Sequence, residues 1–302
     1  MAEKFNHLTA EEEAVIVQKK TEAPFSGKYD DFYENGIYVC RRCNAPLYRS
    51  EDKFDARCGW PSFDEEIPKS VKRKLDADSI RTEIACAFCG AHLGHIFIGE
   101  NLTPKNARHC VNSISMKLVR KKELETAVFG GGCFWCVEAA FNMVRGVVSV
   151  VSGYAGGPLT SSGQAPTYEE VSNGQTGHAE VVKIEFYPKS VSYENLLSAF
   201  FYIHNPTTLN RQGNDIGSQY RSIILYTNEN QKLTAEIFIK ELEESKAYAD
   251  PIVTQIEAFD KFYPAEDYHQ CYFKKNPTAG YCQIVIAPKI KKLTDKFKEL
   301  LK

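Results

Sequence analysis

Arg120-Lys-Lys-Glu-Leu-Glu-Thr-Ala-Val-Phe-Gly-Gly-Gly-Cys-Phe-Trp-Cys-Val-Glu138 is where this 302-residue sequence changes character. Before it, from about residue 24 to 120, short apolar runs are broken by turn residues and helical periodicity is scarce. Tyr29 to Tyr38, Leu47 to Phe54, Ile80 to Ala85 and Ser113 to Val119 are such runs, the pattern of an all-β domain. One helix is predicted upstream, Leu8 to Gln18, with Thr9 capping it ahead of Glu11, Glu12 and Glu13. After the junction, strands and helices alternate. Ala127-Val128-Phe129 reads as a strand entering three glycines, followed by a helix from Cys133 to Met143. Further strands are predicted at Val147 to Ser152, Ala179 to Tyr187, Arg221 to Tyr226 and Ile252 to Ala258. Further helices are predicted at Ser192 to Tyr202, from Asn228 to Ala247, and at the C-terminus with Ile290, Leu293, Phe297, Leu300 and Leu301 on one face. The sequence therefore predicts two domains, an all-β one over 1–122 and an α+β one over 126–302. No repeat or low-complexity tract is evident.

Composition removes several function classes. A formal net charge of −2 gives no footing for nucleic acid or an anionic membrane. No stretch approaches the ~20 apolar residues that span a bilayer. Met1 to Glu13 is polar and lacks the basic and apolar regions of a secretory signal, so a soluble cytoplasmic protein is expected. Ten cysteines in a reducing compartment point to metal binding and thiol catalysis rather than structural disulfides.

Cys40-Arg-Arg-Cys43 and Cys86-Ala-Phe-Cys89 are two CxxC knuckles. Two intervening residues let both sulfurs of a pair reach one ion, and two pairs complete a tetrahedral zinc site. Four thiolates leave no position for water, so the zinc is expected to be structural. The alternative is a set of free or redox-active thiols. The pairs stand further apart than in ordinary zinc ribbons, where ~15–20 residues separate them, so the site is expected to staple distant turns of a larger domain.

Two thiols remain in the first half: Cys58 in Cys58-Gly-Trp-Pro-Ser-Phe63, and Cys110 in Arg108-His-Cys-Val-Asn-Ser113. A catalytic thiol needs nearby positive charge or hydrogen-bond donors. Arg108 and His109 flank Cys110, and His92 and His95 lie upstream; taken singly, core packing explains each histidine as well. In the second half, Cys133 is expected at a helix N-terminus, where the helix dipole favours a thiolate, with Phe134 and Trp135 as an apolar wall. The spacing of Cys133 and Cys136 also suits a thioredoxin-type pair or a buried structural pair. Further motifs follow: Pro166-Thr-Tyr-Glu-Glu-Val171, Thr176-Gly-His-Ala-Glu-Val-Val182, Gly213-Asn-Asp-Ile-Gly-Ser-Gln-Tyr-Arg-Ser222, Ala265-Glu-Asp-Tyr-His-Gln270 and Asn276-Pro-Thr-Ala-Gly-Tyr-Cys282.

The knuckles, GWPSF, HLGHIF and RHCVNS together resemble methionine sulfoxide reductase B over about residues 5–120, and GGCFWC with the later motifs resembles methionine sulfoxide reductase A over about 126–290. The first resemblance implies a β-rich fold with structural zinc that reduces the R epimer. Cys110 would be the nucleophile, Cys58 the resolving thiol and Trp60 the wall for the substrate methyl. His92, His95 and Asn112 match active-site polar positions, and Arg108 a neighbour of the nucleophile. His109 departs from the family, which usually has an aromatic there, and the resemblance leaves open its effect on the thiolate or the pocket polarity. The stretch from His95 to Cys110 is about one residue longer than usual.

The second resemblance implies a two-layer α+β sandwich related to the ferredoxin-like plait, acting on the S epimer. Cys133 would attack, Glu180 assist the sulfoxide oxygen as a protonated acid, and Tyr168 and Tyr220 donate hydrogen bonds. Phe134 and Trp135 would hold the methyl, and Asp215 would position water or donors. Cys136 lies one helical turn from Cys133, where a bridge would distort that turn. Cys282 matches a resolving position common in the family and is favoured, with Cys136 and Cys271 as alternatives. The implied partners are methionine sulfoxide, free or in proteins, and thioredoxin or a similar dithiol. No flavin, nicotinamide or haem motif is seen, and thiols can carry both electrons. A zinc ribbon fused to a thioredoxin-like oxidoreductase would leave Cys110, GWPSF, Glu180 and Tyr220 unexplained.

Overall fold

The computed structural model describes residues 5–76, 78–158 and 165–302. The first four residues of the polar N-terminal stretch lie outside the described residues. The chain divides into two compact units between Leu124 and Glu125. No helix among the described residues is long and apolar enough to cross a membrane.

The first unit opens with α1, Ala10–Ile16, which is capped as expected: Thr9 accepts from the Glu12 amide and the Glu12 carboxylate returns to Thr9. It stops short of Gln18 because Lys19 turns left-handed, with φ of 62°. Among the described residues nine strands follow in two sheets. β1 (Gly36–Cys40), β2 (Pro46–Arg49) and β9 (Met116–Arg120) form a three-stranded sheet in the order β2-β1-β9. The other holds β3 (Lys53–Phe54), β4 (Ser62–Phe63), β5 (Val71–Leu75), β6 (Thr82–Cys86), β7 (His92–Ile98) and β8 (Ala107–Val111), in the order β3-β4-β8-β7-β6-β5. Tyr38, Leu47, Tyr48, Phe63, Ile84 and Leu93 are fully buried in the core of this unit. The strand predicted from Tyr29 begins only at Gly36. Asp30, Asp31 and Asn35 favour turns over a ladder, and Tyr29 instead packs edge-on against Phe32 and Tyr38.

The two knuckle hairpins are built alike. The Cys40 amide bonds to the Ala45 carbonyl and the Asn44 amide to the Cys40 carbonyl; Cys86, Ala91 and Gly90 repeat the pattern. Asn44 and Gly90 share a left-handed turn. Each hairpin has a register shift just before its first cysteine, at Tyr38/Val39 and at Ile84/Ala85. One hairpin belongs to each sheet. Val39–Leu47 and Ala85–Leu93 thus share a local fold, although their sequences differ too much to register as a repeat.

The second unit is a six-stranded sheet with helices packed on it. Its strands are β10 (Glu125–Gly131), β11 (Val147–Ala155), β12 (Ala179–Phe186), β15 (Ser222–Tyr226), β16 (Gln255–Ala258) and β17 (Tyr263–Pro264), in the order β16-β15-β10-β12-β11-β17. A small pair, β13 (Arg211–Gln212) and β14 (Asp215–Ile216), stands apart from it. The helices are α2 (Phe134–Phe141), α3 (Tyr168–Ser172), α4 (Tyr193–Ile203), α5 (Glu229–Glu244), α6 (Tyr272–Lys275) and α7 (Ala287–Lys296). Phe129 of β10 stacks on Phe200 of α4 at the centre of the core. Asn228 caps α5 as predicted, and the helix ends before Ala247 because Lys246 turns left-handed. The C-terminal face does not run on one helix. Cys282–Ile286 winds as a π-helix into α7, which ends at Lys296. The chain then leaves the helix, so that Leu301 bridges Val144 and the Leu300 carbonyl accepts from Arg145.

Candidate active sites

The four knuckle sulfurs lie within 4.8 Å of one another. Cys40 and Cys89 are 3.6 Å apart, and Cys43 and Cys86 3.7 Å. A tetrahedron with Zn–S of ~2.3 Å separates its sulfurs by ~3.8 Å, so the spacing and the soft donor set both fit one zinc ion.

Cys110 on β8 faces Cys58, with sulfurs 3.9 Å apart. The pairing of Ser62 with Cys110 brings the Cys58 loop there. The two thiols share a proton: the hydrogen bond from Cys110 draws Cys58 down to about 5, while that bond and burial push Cys110 up. Arg108, two residues back on the same strand, lowers both. Its guanidinium is held by Glu100 at 2.6 and 2.8 Å and lies over the Phe97 ring. The pair therefore holds a thiolate at neutral pH.

His109 lies away from Cys110 although the two are adjacent in sequence. Side chains alternate along a strand, so it points to the opposite face from Cys110. There it is buried against the Tyr48 hydroxyl and Glu66, each 3.2 Å away. It shapes neither the thiolate nor the pocket.

A cavity of about 110 Å³ opens on Cys110, lined by Thr21, Trp60, Arg81, Gly94, His95, Phe97, Cys110 and Asn112. Of the predicted residues, Trp60, His95 and Asn112 are on its wall. His92 is not; it is buried with Nδ1 2.8 Å from Glu83, which also binds Lys19 at 2.7 Å. His95 bonds Asp76 at 2.7 Å. A Cβ at Gly94 would fall 2.0 Å from the Cys110 carbonyl, so only glycine lets β7 approach β8 at this point. Thr21, Arg81 and Phe97 were missed because the first two come from segments remote in sequence and carry no local motif.

In the second unit Cys133 is the N-cap of α2 and is buried. Glu180, on β12, accepts from the Phe134 amide at 2.9 Å. Burial above all, opposed by that bond and reinforced by Asp215 and Cys136, pushes its carboxyl up to about 8. It therefore holds a proton at neutral pH. Tyr168 is pushed up to about 12 by burial and by the charges of Glu180 and Cys133. Tyr220 rises through burial and the charges of Glu180, Tyr168, Asp215 and Cys133. These five residues thus lie within electrostatic reach of one another. Phe134 is buried, and Trp135 lies flat on Tyr272 with ring centroids 3.7 Å apart.

Two residues inside the quoted motifs were passed over. Tyr281 donates to Asp215 at 2.8 Å and stands near enough to the Cys133 and Cys136 thiols to draw both down. His269 accepts the Trp135 indole N–H at 3.1 Å. The motifs Ala265–Gln270 and Asn276–Cys282 that contain them were the signal.

The helix N-terminus does not by itself make Cys133 a thiolate. Burial, Cys136 and Glu180 push its thiol up, while the hydrogen bond between the two draws Cys136 down to about 7. Cys282 is buried, wound into the π-helix rather than on a loose segment, and the thiol whose charge it feels is Cys136. Cys271 is exposed, at a left-handed turn before α6.

The peptide methionine sulfoxide reductase family matches residues 125–301, and the SelR domain matches residues 8–120. The peptide methionine sulfoxide reductase MsrA of Polynucleobacter asymbioticus is 57% identical over 178 residues, spanning 59% of this chain and 92% of that protein. The MsrA of Acinetobacter baumannii strain AYE is 55% identical over 179 residues, 59% of this chain and 99% of that one. The reduced form of Mxr1 from Saccharomyces cerevisiae is 32% identical, covering 53% of this chain and 90% of that chain, with a TM-score of 0.49. The chain therefore belongs to the peptide methionine sulfoxide reductase family, as a fusion in which a SelR (MsrB) domain precedes an MsrA domain, and it reduces the R and S epimers of methionine sulfoxide.

Proposed function

We propose that residues 1–122 reduce the R epimer through Cys110 and residues 126–302 the S epimer through Cys133, each by way of a sulfenic acid and a disulfide. The observation that carries this reading is a buried carboxyl, Glu180, hydrogen-bonded to the Phe134 amide at the helix start beside Cys133, where burial raises its pKa. A sulfoxide is a poor electrophile until its oxygen is protonated. Glu180 gives its proton to that oxygen as the Cys133 sulfur, its own proton passed to Cys136, which their hydrogen bond draws down to about 7, attacks the sulfoxide sulfur. The sulfur–oxygen bond breaks, methionine leaves as the thioether, and Cys133 keeps the oxygen as sulfenic acid. A second thiol condenses with it, releasing water and forming a disulfide, which an external dithiol reduces. Tyr168 and Tyr220 donate to the oxygen, Asp215 orients Tyr281, and Phe134 and Trp135 hold the methyl.

In the first half Cys110 attacks once its proton has passed across the shared hydrogen bond to Cys58, and Cys58 then resolves. Arg108 stabilises the thiolate, Trp60 holds the methyl, and His95 and Asn112 supply hydrogen bonds, with His92 supporting them from behind through Glu83. Cys40, Cys43, Cys86 and Cys89 hold zinc, whose four thiolates confine it to a folding role. The reductant is thioredoxin or a similar dithiol, and the substrate is methionine sulfoxide, free or in proteins. We read the β15-β10-β12-β11 order with α2 and α4 as a ferredoxin-like plait, and place the protein in the cytoplasm, where its thiols stay reduced.

Glu180→Gln is expected to lower kcat on the S epimer by ~10²–10⁴-fold. The acid form is the active one, so wild-type turnover should fall as pH rises through about 8. Steady-state rates with dithiothreitol between pH 6 and 9.5 check this. An alkaline limb that persists unchanged in the variant would place the proton elsewhere.

For resolution we assign Cys282, which forms the first disulfide with Cys133, followed by a later relay to another thiol. Cys133, Cys136 and Cys282 belong to one core cluster, and Cys136 interacts with both of the others. After one equivalent of S sulfoxide without reductant, peptide mapping should find the disulfide on Cys282. Cys282→Ser should release one equivalent of methionine normally but lose most thioredoxin-driven turnover. Full turnover in that variant, with loss in Cys136→Ser, would make Cys136 the resolving thiol.

A further inference from the structure

We infer that Glu22 is a positioning residue of the R-epimer site, pinning the segment Lys19–Phe25 across it and thereby fixing Trp60 and Asn112. This rests on the reading of that site given above. The segment has no helix or strand of its own, so side-chain and single backbone contacts must hold it. Glu22 makes contacts in three directions. Its carboxylate accepts from the Ser113 amide and, at 3.2 Å, from the Ile114 amide, the opening donors of the turn that follows Asn112. Its own amide donates to the Asn112 side-chain oxygen at 3.1 Å, while the Asn112 amide group donates to the Leu93 carbonyl at 3.0 Å. Both ends of that amide are thus fixed. Its carbonyl accepts the Trp60 indole N–H at 3.2 Å.

The segment is also seated on the resolving loop. The Phe25 amide donates to the Gly59 carbonyl at 2.8 Å, and Phe25 takes a left-handed φ of 63°. A Cβ at Gly59 would meet Phe25 N and Pro24 Cβ, each at 2.8 Å. At its other end Lys19 binds Glu83. Thr21 lines the Cys110 cavity, whereas Glu22 lines a larger one of about 370 Å³. The segment is therefore the partition between them. A free strap would leave the Trp60 N–H without its acceptor and the indole able to swing, so the methyl wall depends on the Glu22 anchor.

The test uses the full chain. Glu22→Ala should raise KM for the R epimer roughly tenfold with kcat within ~3-fold, because the lost contacts shape the pocket and touch no reacting atom. Turnover of the S epimer serves as the internal standard and should not change. Glu22→Gln, which keeps one acceptor, should lie between the two. The chain has two tryptophans, so a Trp135→Phe background isolates Trp60, whose emission should shift to the red and become more accessible to iodide on Glu22→Ala. Unchanged KM and emission overturn the inference, as does a fall in kcat alone. If Glu22→Ala loses zinc or cooperative melting, the Glu22→Gln variant decides: wild-type KM and emission there overturn the inference, and intermediate values support it. A wild-type protein that fails on the R epimer would sink the reading of the site rather than the role of Glu22.

Discussion

Cys133→Ser is expected to abolish S-epimer turnover, by at least ~10³-fold, and to leave the R epimer within a factor of about two; Cys110→Ser is expected to do the reverse. A serine hydroxyl ionises far outside the physiological range and cannot retain the sulfoxide oxygen in a reducible form, so neither variant has a substitute nucleophile in its own pocket. The sulfoxide sulfur is a stereocentre. A pocket that fixes its methyl and oxygen around one sulfur accepts a single hand, which is why each half serves its own epimer. The surroundings of the two thiols differ accordingly. Cys110 has Cys58 and the Arg108 guanidinium, whereas Cys133 has the protonated Glu180 and the Tyr281 hydroxyl. Separated epimers assayed with dithiothreitol give the result directly. Loss of both activities from either single substitution, in protein that melts like wild type, would defeat the division of labour.

Cys86→Ser should have the second largest effect, and it should fall on the first half alone. Removing one ligand leaves three thiols at the junction of the knuckles. Structural zinc in small domains contributes an apparent ~10–16 kcal/mol at neutral pH, as much as or more than the whole stability of an ordinary domain. Wild-type protein should hold one zinc per chain. The variant should hold far less, lose cooperative melting of the first unit, and lose R-epimer turnover while S-epimer turnover continues. Metal content by emission spectrometry alongside both assays checks this. Zinc-free protein isolated without chelator, with full R activity, would remove the structural role.

What the sequence revealed depended on how local the cause was. Thr9 and Asn228 were legible as caps because a cap is made within three residues of itself. The knuckles were legible because their spacing is the chemistry. Element ends were less so: Lys19 and Lys246 stop α1 and α5 by turning left-handed, and nothing in lysine announces that. The orientation of His109 was not legible, because adjacency to Cys110 in sequence is not adjacency in space. The pairing of Phe63 with His109 puts it on the far face of β8. Thr21, Glu22 and Arg81 reach the R-epimer site from segments that the fold alone brings there. Glu180 was legible as a residue from its motif, but the cause of its raised pKa, burial, is a property of the packed second unit.

The matched knuckle hairpins have a consequence for how this protein ages under oxidants. One hairpin belongs to each sheet of the first unit, so a zinc ion held by both, as proposed, would rivet the sheets together. Oxidation of any one of four sulfurs loosens that rivet. The second unit has a core of its own and no such dependence. Under sustained attack the chain should decline in order, from a repairer of both hands to a repairer of one. The R sulfoxides then left on cellular proteins would serve as a dosimeter, their excess over S marking how far exposure has gone.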